Sequence, residues 1–237
     1  MQNDNLSQQL ALLYKYWFED YNFPNESQKP YAKSNGVLVY NPLIKRDIPT
    51  TWKVKNLLEV VSWEANSQPP KSEFIYEPKD GYIRFIQNRD FDSDSHYTFI
   101  PFNKNLSLVD EFDILMDKYG DAGKTRFGLK GTYNVALAKI AVKESKYKEY
   151  VRAFLSSPAI YNYLHNACMA STRASLNEDN LSFINIVIPS ENIATLFEKQ
   201  AHLIIEKLIK NRIENNQLTK YRDELLPLLL NGQVVIK

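Results

Sequence analysis

A chain of 237 residues, 44% apolar and 24% charged, is long enough for one good core plus an appendage. Its net charge of +1 excludes a histone-like, purely electrostatic DNA binder. A lone cysteine, Cys168, excludes a disulfide framework; with no basic-then-apolar leader and no run of membrane-spanning length, the chain is expected to be cytoplasmic.

In chain order, Leu6 to Tyr21 reads as an amphipathic helix with Leu6, Leu10, Leu13, Trp17 and Tyr21 along one edge. Asn22 to Pro49, punctuated by Pro24, Pro30, Gly36 and Pro42, reads as a connector. Trp52 opens a central domain. Short apolar runs at Val54–Val61, Tyr82–Ile86, Tyr97–Phe102, Phe112–Met116 and Tyr133–Val142 are separated by polar or Gly-containing turns, which predicts a β-rich fold. Tyr147 to Cys168 predicts two helices, the second capped by Ser157 with Pro158 in its first turn. Leu181 to Ile188 predicts a last strand, ended by Pro189.

From Ser190 to Leu230 one long helix is predicted. Phe197, Ala201, Ile204, Leu208, Leu218, Leu225 and Leu229 recur at alternating steps of three and four, and Asn211, Asn215 and Arg222 fall on the same stripe. Ser190 is placed to cap its start, and Pro227 followed by Gly232 to close it. Some forty residues at about 1.5 Å each make a rod of about 60 Å, roughly three times the ordinary helix. Such a rod either lies along its own domain or pairs with another helix. A stripe interrupted by Asn favours pairing, because buried Asn fixes register and orientation.

Three enzyme signals are weak. Gly120-Asp-Ala-Gly123-Lys124-Thr125 resembles the tail of a phosphate-binding loop, but Lys118 stands where the first Gly is needed and Gly128 and Gly131 oppose a following helix. A tight turn is the better account. Asp113, Glu144 and Lys146 are the residue types of a metal-dependent nuclease, yet Glu144-Ser-Lys146 sits in a highly charged, solvated segment. Asp90, Asp92 and Asp94 lack the Gly of a calcium loop. His96, His165 and His202 have no partner at ligand spacing. Charge is more informative locally. Lys124 to Arg152 carries eight bases against two acids, whereas Asp80 to Asp121 carries nine acids against four bases. One side of the central domain is therefore expected to be basic, as a solvated face or a phosphate-facing one.

The segments fall into a familiar order. Tyr14-Lys-Tyr-Trp17-Phe18 with Phe23-Pro24, Ile48-Pro49-x-x-Trp52, Gln68-Pro69-Pro70-Lys71 and Gly81-Tyr82-Ile83-Arg84-Phe85-Ile86 with Asp90 come first. Asp113-Ile114-Leu115 with Gly120, Gly123 and Asn134 follow, then Ala170-Ser171-Thr172, Ile186-x-Ile188-Pro189, and Tyr221-Arg222-Asp-Glu-Leu225-Leu226 with Gly232. In this order and spacing the chain resembles the specificity subunit of Type I restriction–modification systems, over almost its whole length, and in particular one half of it. Two positions depart from the pattern: Gly is missing around Asn66-Ser67, and Ala170 stands where Gly is common.

The resemblance implies an α+β chain with a β-rich target-recognition domain, a short N-terminal helix and a long C-terminal coiled-coil helix. The expected division is 1–45 for the N-terminal helix and connector, 46–189 for the DNA-binding domain and 190–237 for the helix that dimerises and docks other subunits. The implied function is non-catalytic. The chain reads half of a bipartite double-stranded DNA target and docks methyltransferase and restriction subunits, while S-adenosylmethionine stays with the methyltransferase, so no cofactor is expected here. One recognition domain and one full helix leave two origins open, a natural half-subunit that dimerises or the product of a truncated or rearranged gene. The alternatives are a metal-dependent endonuclease using Asp113, Glu144 and Lys146, and a coiled-coil interaction protein with no DNA role. Arg84, Arg89, Lys124, Arg126, Lys130 and Arg173 are the expected DNA-facing cations, with Gln87 and Asn88 reading base edges. The expected homodimer and subunit interface comprises Leu10, Leu13, Trp17, Phe197, Ala201, Ile204, Leu208, Asn211, Asn215, Leu218, Leu225 and Leu229, with two rods antiparallel.

Overall fold

A computed structural model describes residues 2–93, 96–170 and 174–232. The N-terminal helix α1 (Gln2–Tyr14) runs on through a π-helical turn at Lys15–Glu19. A hairpin follows, β1 (Leu38–Asn41) and β2 (Arg46–Pro49), within the stretch expected to be a plain connector. Then come β3 (Lys53–Asn56), the single turn α2 (Leu57–Val60), β4 (Val61–Glu64), β5 (Tyr82–Ile86), β6 (Phe99–Pro101) and β7 (Leu108–Val109). After these are β8 (Leu115–Asp117), β9 (Thr125–Arg126), β10 (Gly131–Tyr133) and β11 (Leu137–Val142). The chain ends with α3 (Lys148–Leu155), α4 (Pro158–Met169), α5 (Glu178–Leu181), β12 (Asn185–Ile188) and α6 (Glu191–Leu230). The fold is α+β. Its two larger sheets have the orders β6-β5-β10-β7 and β4-β11-β8-β9, and β12 pairs with β3.

Local hydrogen bonding decides where the sequence pattern fails. Val54–Val61 was expected as one strand, but Asn56 Oδ1 accepts from Leu58 N (3.0 Å) and Glu59 Oε1 from Asn56 N (2.9 Å). This capping box starts a helical turn inside an apolar run. The expected strand Tyr133–Val142 is likewise divided by a turn at Asn134, whose side chain accepts from Ala136 N. Asn177 caps the turn of α5 and delays the last strand to Asn185. Pro227 lies inside α6 rather than closing it; Asn231 ends the helix, with Gly232 at φ +66° just beyond.

One core joins the ends of the chain to its middle. Phe18 packs edge-on against Phe197 (4.8 Å between centroids) and Tyr150 (4.6 Å), and lies 5.7 Å from Trp52. Trp17 stands 5.8 Å from Phe197. The π-helical turn aims both neighbours, Trp17 and Phe18, inward. At the far end of α1, Asn3 Oδ1 accepts from Asn211 Nδ2 (2.9 Å), so α1 lies antiparallel along the first half of α6. That half buries Ile193, Ala194, Phe197, Ala201, Ile205, Leu208 and Ile209. A smaller cluster of Ile86, Val109, Leu115, Leu129, Tyr133 and Leu137 fills the space between the two larger sheets. Phe197→Ala removes the ring on which α1 closes and is expected to cost about 3–5 kcal/mol, read by urea unfolding.

α3 meets α6 through a polar pin. Buried Glu149 accepts from Arg152 Nε (2.6 Å) and Nη2 (3.2 Å), and its backbone N–H donates to Glu198 Oε2 (2.8 Å). Burial, with the Glu149 carboxylate adding to it, pushes Glu198 up to about 7. The protonated acid is thus favoured in the folded state. Its stabilisation is complete below the ordinary carboxylate range and fades as pH rises through 7. Glu198→Gln is expected to flatten that loss, so its advantage over the parent in thermal unfolding should be larger at pH 8 than at pH 5.

Candidate nucleic-acid interface

The turn after β5 was expected to read DNA, and much of it is occupied in holding the domain together. Gln87 Nε2 donates to Thr98 Oγ1 (3.0 Å) and Asn88 Nδ2 to Asp117 Oδ1 (2.9 Å). Arg126 is buried. Its Nε and Nη2 donate to Asp117 Oδ2 (3.0 and 2.9 Å) and its Nη1 to Asp92 Oδ1 (3.1 Å). Burial raises the Asp117 carboxyl despite the guanidinium on its Oδ2. Lys124 is partly exposed and paired with Asp121 at 2.9 Å. The segment Gly120–Thr125 is the hairpin turn joining β8 to β9, with Gly123 at φ +90° and its N–H on Asp117 O, so the turn reading holds. Arg89, 3.7 Å from Asp90, and Lys130 are exposed. Arg173 and Asp94 lie outside the described residues.

Sequence reasoning missed the residues by which α6 grips this turn. Arg212 Nη2 donates to Asp90 O (2.8 Å), its Nη1 reaches Phe127 O (3.4 Å), and its guanidinium lies over the Phe91 ring. Gly128 takes φ +91°, a conformation that favours glycine, where the loop meets Arg212; an added Cβ would make only ordinary contact with Cδ at 3.6 Å. Two turns on, Lys220 lies over the Tyr97 ring (4.7 Å), and Arg84 from β5 packs on the same ring (4.8 Å). The only available signal was cationic side chains beside the apolar stripe, which reads as ordinary solvation.

The expected interface stripe divides at Asn211. Leu10, Trp17, Phe197, Ala201 and Leu208 are buried in this chain's own core, and Leu13 and Ile204 pack against it. The five buried side chains are therefore not available to a partner. The reason is that α1 and the domain cover the first half of the rod. Beyond it Leu218 and Leu225 are about half exposed, as are Ile213, Tyr221 and Leu226; Asn215 is exposed and Leu229 partly buried. The apolar face left open runs over about 27 Å, from 213 to 230.

The nuclease residues do not converge. Asp113 pairs with Lys139 (3.0 Å) and Lys148 (3.2 Å), while Lys146 pairs with Glu144 (3.0 Å) and Glu191 (3.1 Å). Glu149, Glu198 and His202 bring ligand atoms within 4.8 Å of one another, and Glu198 and His202 are four apart on α6, a spacing the sequence reading overlooked. Arg152 already occupies the Glu149 carboxylate with two hydrogen bonds, which is a poor setting for a metal ion.

The family model for the Type I restriction modification DNA specificity domain matches residues 49–221, from β2 to the exposed half of α6. The chain belongs to this family. It is 28% identical over 199 residues to the Type I restriction enzyme HindI specificity subunit of Haemophilus influenzae, covering 79% of this chain and 42% of that protein. It is 26% identical to the MjaIX specificity subunit of Methanocaldococcus jannaschii, over all of this chain and 54% of that one. The chain thus spans about half the length of these relatives. The fold matches the S subunit of a Type I restriction–modification system from M. genitalium (TM-score 0.55, 14% identity, 95% of this chain and 56% of that). It also matches the HsdS subunit of Thermoanaerobacter tengcongensis (TM-score 0.50, 16% identity, 98% and 52%). Among the described residues no helix is long and apolar enough to cross a membrane.

Removing one partner of a buried ion pair leaves the other charge uncompensated. Arg126→Ala is expected to cost about 3–5 kcal/mol in urea unfolding, against less than about 0.5 kcal/mol for Arg89→Ala.

Proposed function

We propose that this chain is a non-catalytic, DNA-reading specificity subunit. It recognises one half of a bipartite duplex target and docks the methyltransferase and restriction subunits of a Type I system. The observation that carries this is the family match over 49–221, which takes in the β-rich domain and most of the rod beyond it. Covering about half of each named relative, the chain supplies one recognition domain and one long helix. The functional division is 46–189 for target recognition, with 1–45 and 190–237 as its supports and docking elements. Work on DNA places it in the cytoplasm, where the buried thiol of Cys168 stays reduced.

A second copy provides the other half. The open apolar face beyond Asn211 is the surface for it, two rods lying antiparallel so that the recognition domains stand apart. Two-fold symmetry then demands a symmetric split site, its halves separated by one to two duplex turns of about 34 Å. Arg89 and Lys130, both exposed, are suited to backbone phosphates.

Co-purification with an N6-adenine methyltransferase subunit tests the assignment. A purified chain that nicks DNA with Mg²⁺ and loses the activity in Glu144→Ala would replace it with the nuclease reading. For the dimer, Leu218→Asp with Leu225→Asp is the informative pair, since both side chains are exposed and neither supports the core. Sedimentation should show the parent as a dimer and the double variant as a folded monomer. A parent that is monomeric at tens of micromolar defeats the paired-rod arrangement.

A further inference from the structure

With Gln87, Asn88 and Arg126 held in structural bonds, base reading needs another surface. Arg84 turns toward Tyr97 and α6, so its neighbours on β5, Ile83 and Phe85, face the opposite side of the sheet. On that opposite side Phe74 packs on Phe85 (5.3 Å), and the segment 67–73 lies across from the loop that joins β6 to β7. Between them is an open depression of about 540 Å³ whose polar walls are Ser67, Gln68, Glu73, Asn103 and Lys104, with Phe102 beside them.

That loop is fixed at both ends. Phe102 N donates to Gly81 O (2.8 Å). At the other end Ser107 N donates to Asn66 Oδ1 (3.1 Å), and Asn66 Nδ2 donates to Thr132 Oγ1 and Tyr133 O (2.7 Å each). Thr132 Oγ1 donates in turn to Ser107 O (2.9 Å). Inside the loop Asn103 Oδ1 accepts from Asn105 N (2.9 Å), and Asn103 O accepts from Leu106 N (3.0 Å). Six residues thus form a preset protrusion whose ordering entropy is lost on folding rather than on binding. Its tip exposes Phe102, Asn103, Lys104 and Asn105, and Gln68 is exposed across the depression.

We propose that this loop, with the facing 66–73 segment, is the part of the domain that enters a DNA groove and selects the bases. The proposal rests on the DNA-reading function above and says where that reading occurs. The chemistry fits base edges. Asn and Gln amides pair with adenine N6 and N7, Lys with guanine O6 and N7, Glu accepts from cytosine N4, and an apolar group meets the thymine methyl. A major groove about 12 Å wide admits an α-helix or a two-stranded ribbon, elements broader than a single turn of chain.

The test uses the full chain and a pool of duplexes with a randomised centre, taken through rounds of binding at low salt. Gln68→Ala, Asn105→Ala and Lys104→Ala are compared with the parent and with Lys199→Ala, an exposed change on α6; melting curves confirm that all are folded. The parent and Lys199→Ala should enrich one consensus. Gln68→Ala and Asn105→Ala should lose preference at one or two positions within it, about five- to hundredfold in discrimination. Lys104→Ala should do the same or weaken binding to the whole pool with a shallower salt slope. If the parent enriches a consensus and all three variants keep it at unchanged affinity, the loop is not the reader. If the parent enriches nothing, DNA reading itself fails and the proposal with it.

Discussion

Phe197 must be covered, and what covers it organises the chain. It sits in the first turns of a forty-residue helix, and the rings that close over it come from residues 17 and 18, near the other end of the chain. Phe18 also reaches Tyr150 of α3 and Trp52, just ahead of β3. Apolar burial of this size, about 1.5–3 kcal/mol for each large side chain, holds termini that are nearly two hundred residues apart in sequence. The N-terminal helix is therefore part of the domain's core rather than a separate arm.

The same contacts explain what the sequence disclosed. The long helix was legible because its stripe is periodic over many turns, and β5 because Tyr82–Ile86 is a clean run between turns. Which part of the stripe serves the chain itself was not legible. Phe197 and Leu218 obey one period, and only the cover given by α1 and the domain separates them. Polar side chains were ambiguous in the same way. Asn88 and Arg126 are types that read bases, but also types that satisfy a buried carboxylate, the amide by a hydrogen bond and the guanidinium by its charge, and Asp117 draws both inward. The caps at Asn56 and Asn177 lie inside apolar stretches, where alternation is the louder signal.

The rod and the recognition domain are joined by cations on rings as well as by apolar packing. Arg212 satisfies two loop carbonyls that would otherwise need water, while Phe91 lies beneath its guanidinium. Lys220 and Arg84 share Tyr97. Contacts of this kind are worth about 0.5–2 kcal/mol each, depending on how dry they are. Together they make the middle of the rod a fixed support for the turn after β5, while the apolar face of its outer half faces solvent. The two halves of one helix thus answer to different partners.

The π-helical turn at Lys15–Glu19 carries a consequence for how the N-terminus tolerates changes of length. A π turn is, in effect, one residue more than an α-helix needs for the same path. Deleting a single residue there would let the helix close into regular α geometry, with the residues on either side keeping nearly the faces they have now. Leu10 and Tyr14 would then stay on the α6 face, while Trp17 and Phe18 would open to the roughly 100° that separates neighbours on an α-helix. Insertions in the hairpin loop of β1 and β2 face no such coupling. A deletion in this turn is therefore felt in the angle between two adjacent rings, whereas one elsewhere in α1 would rotate the residues ahead of it by about 100°.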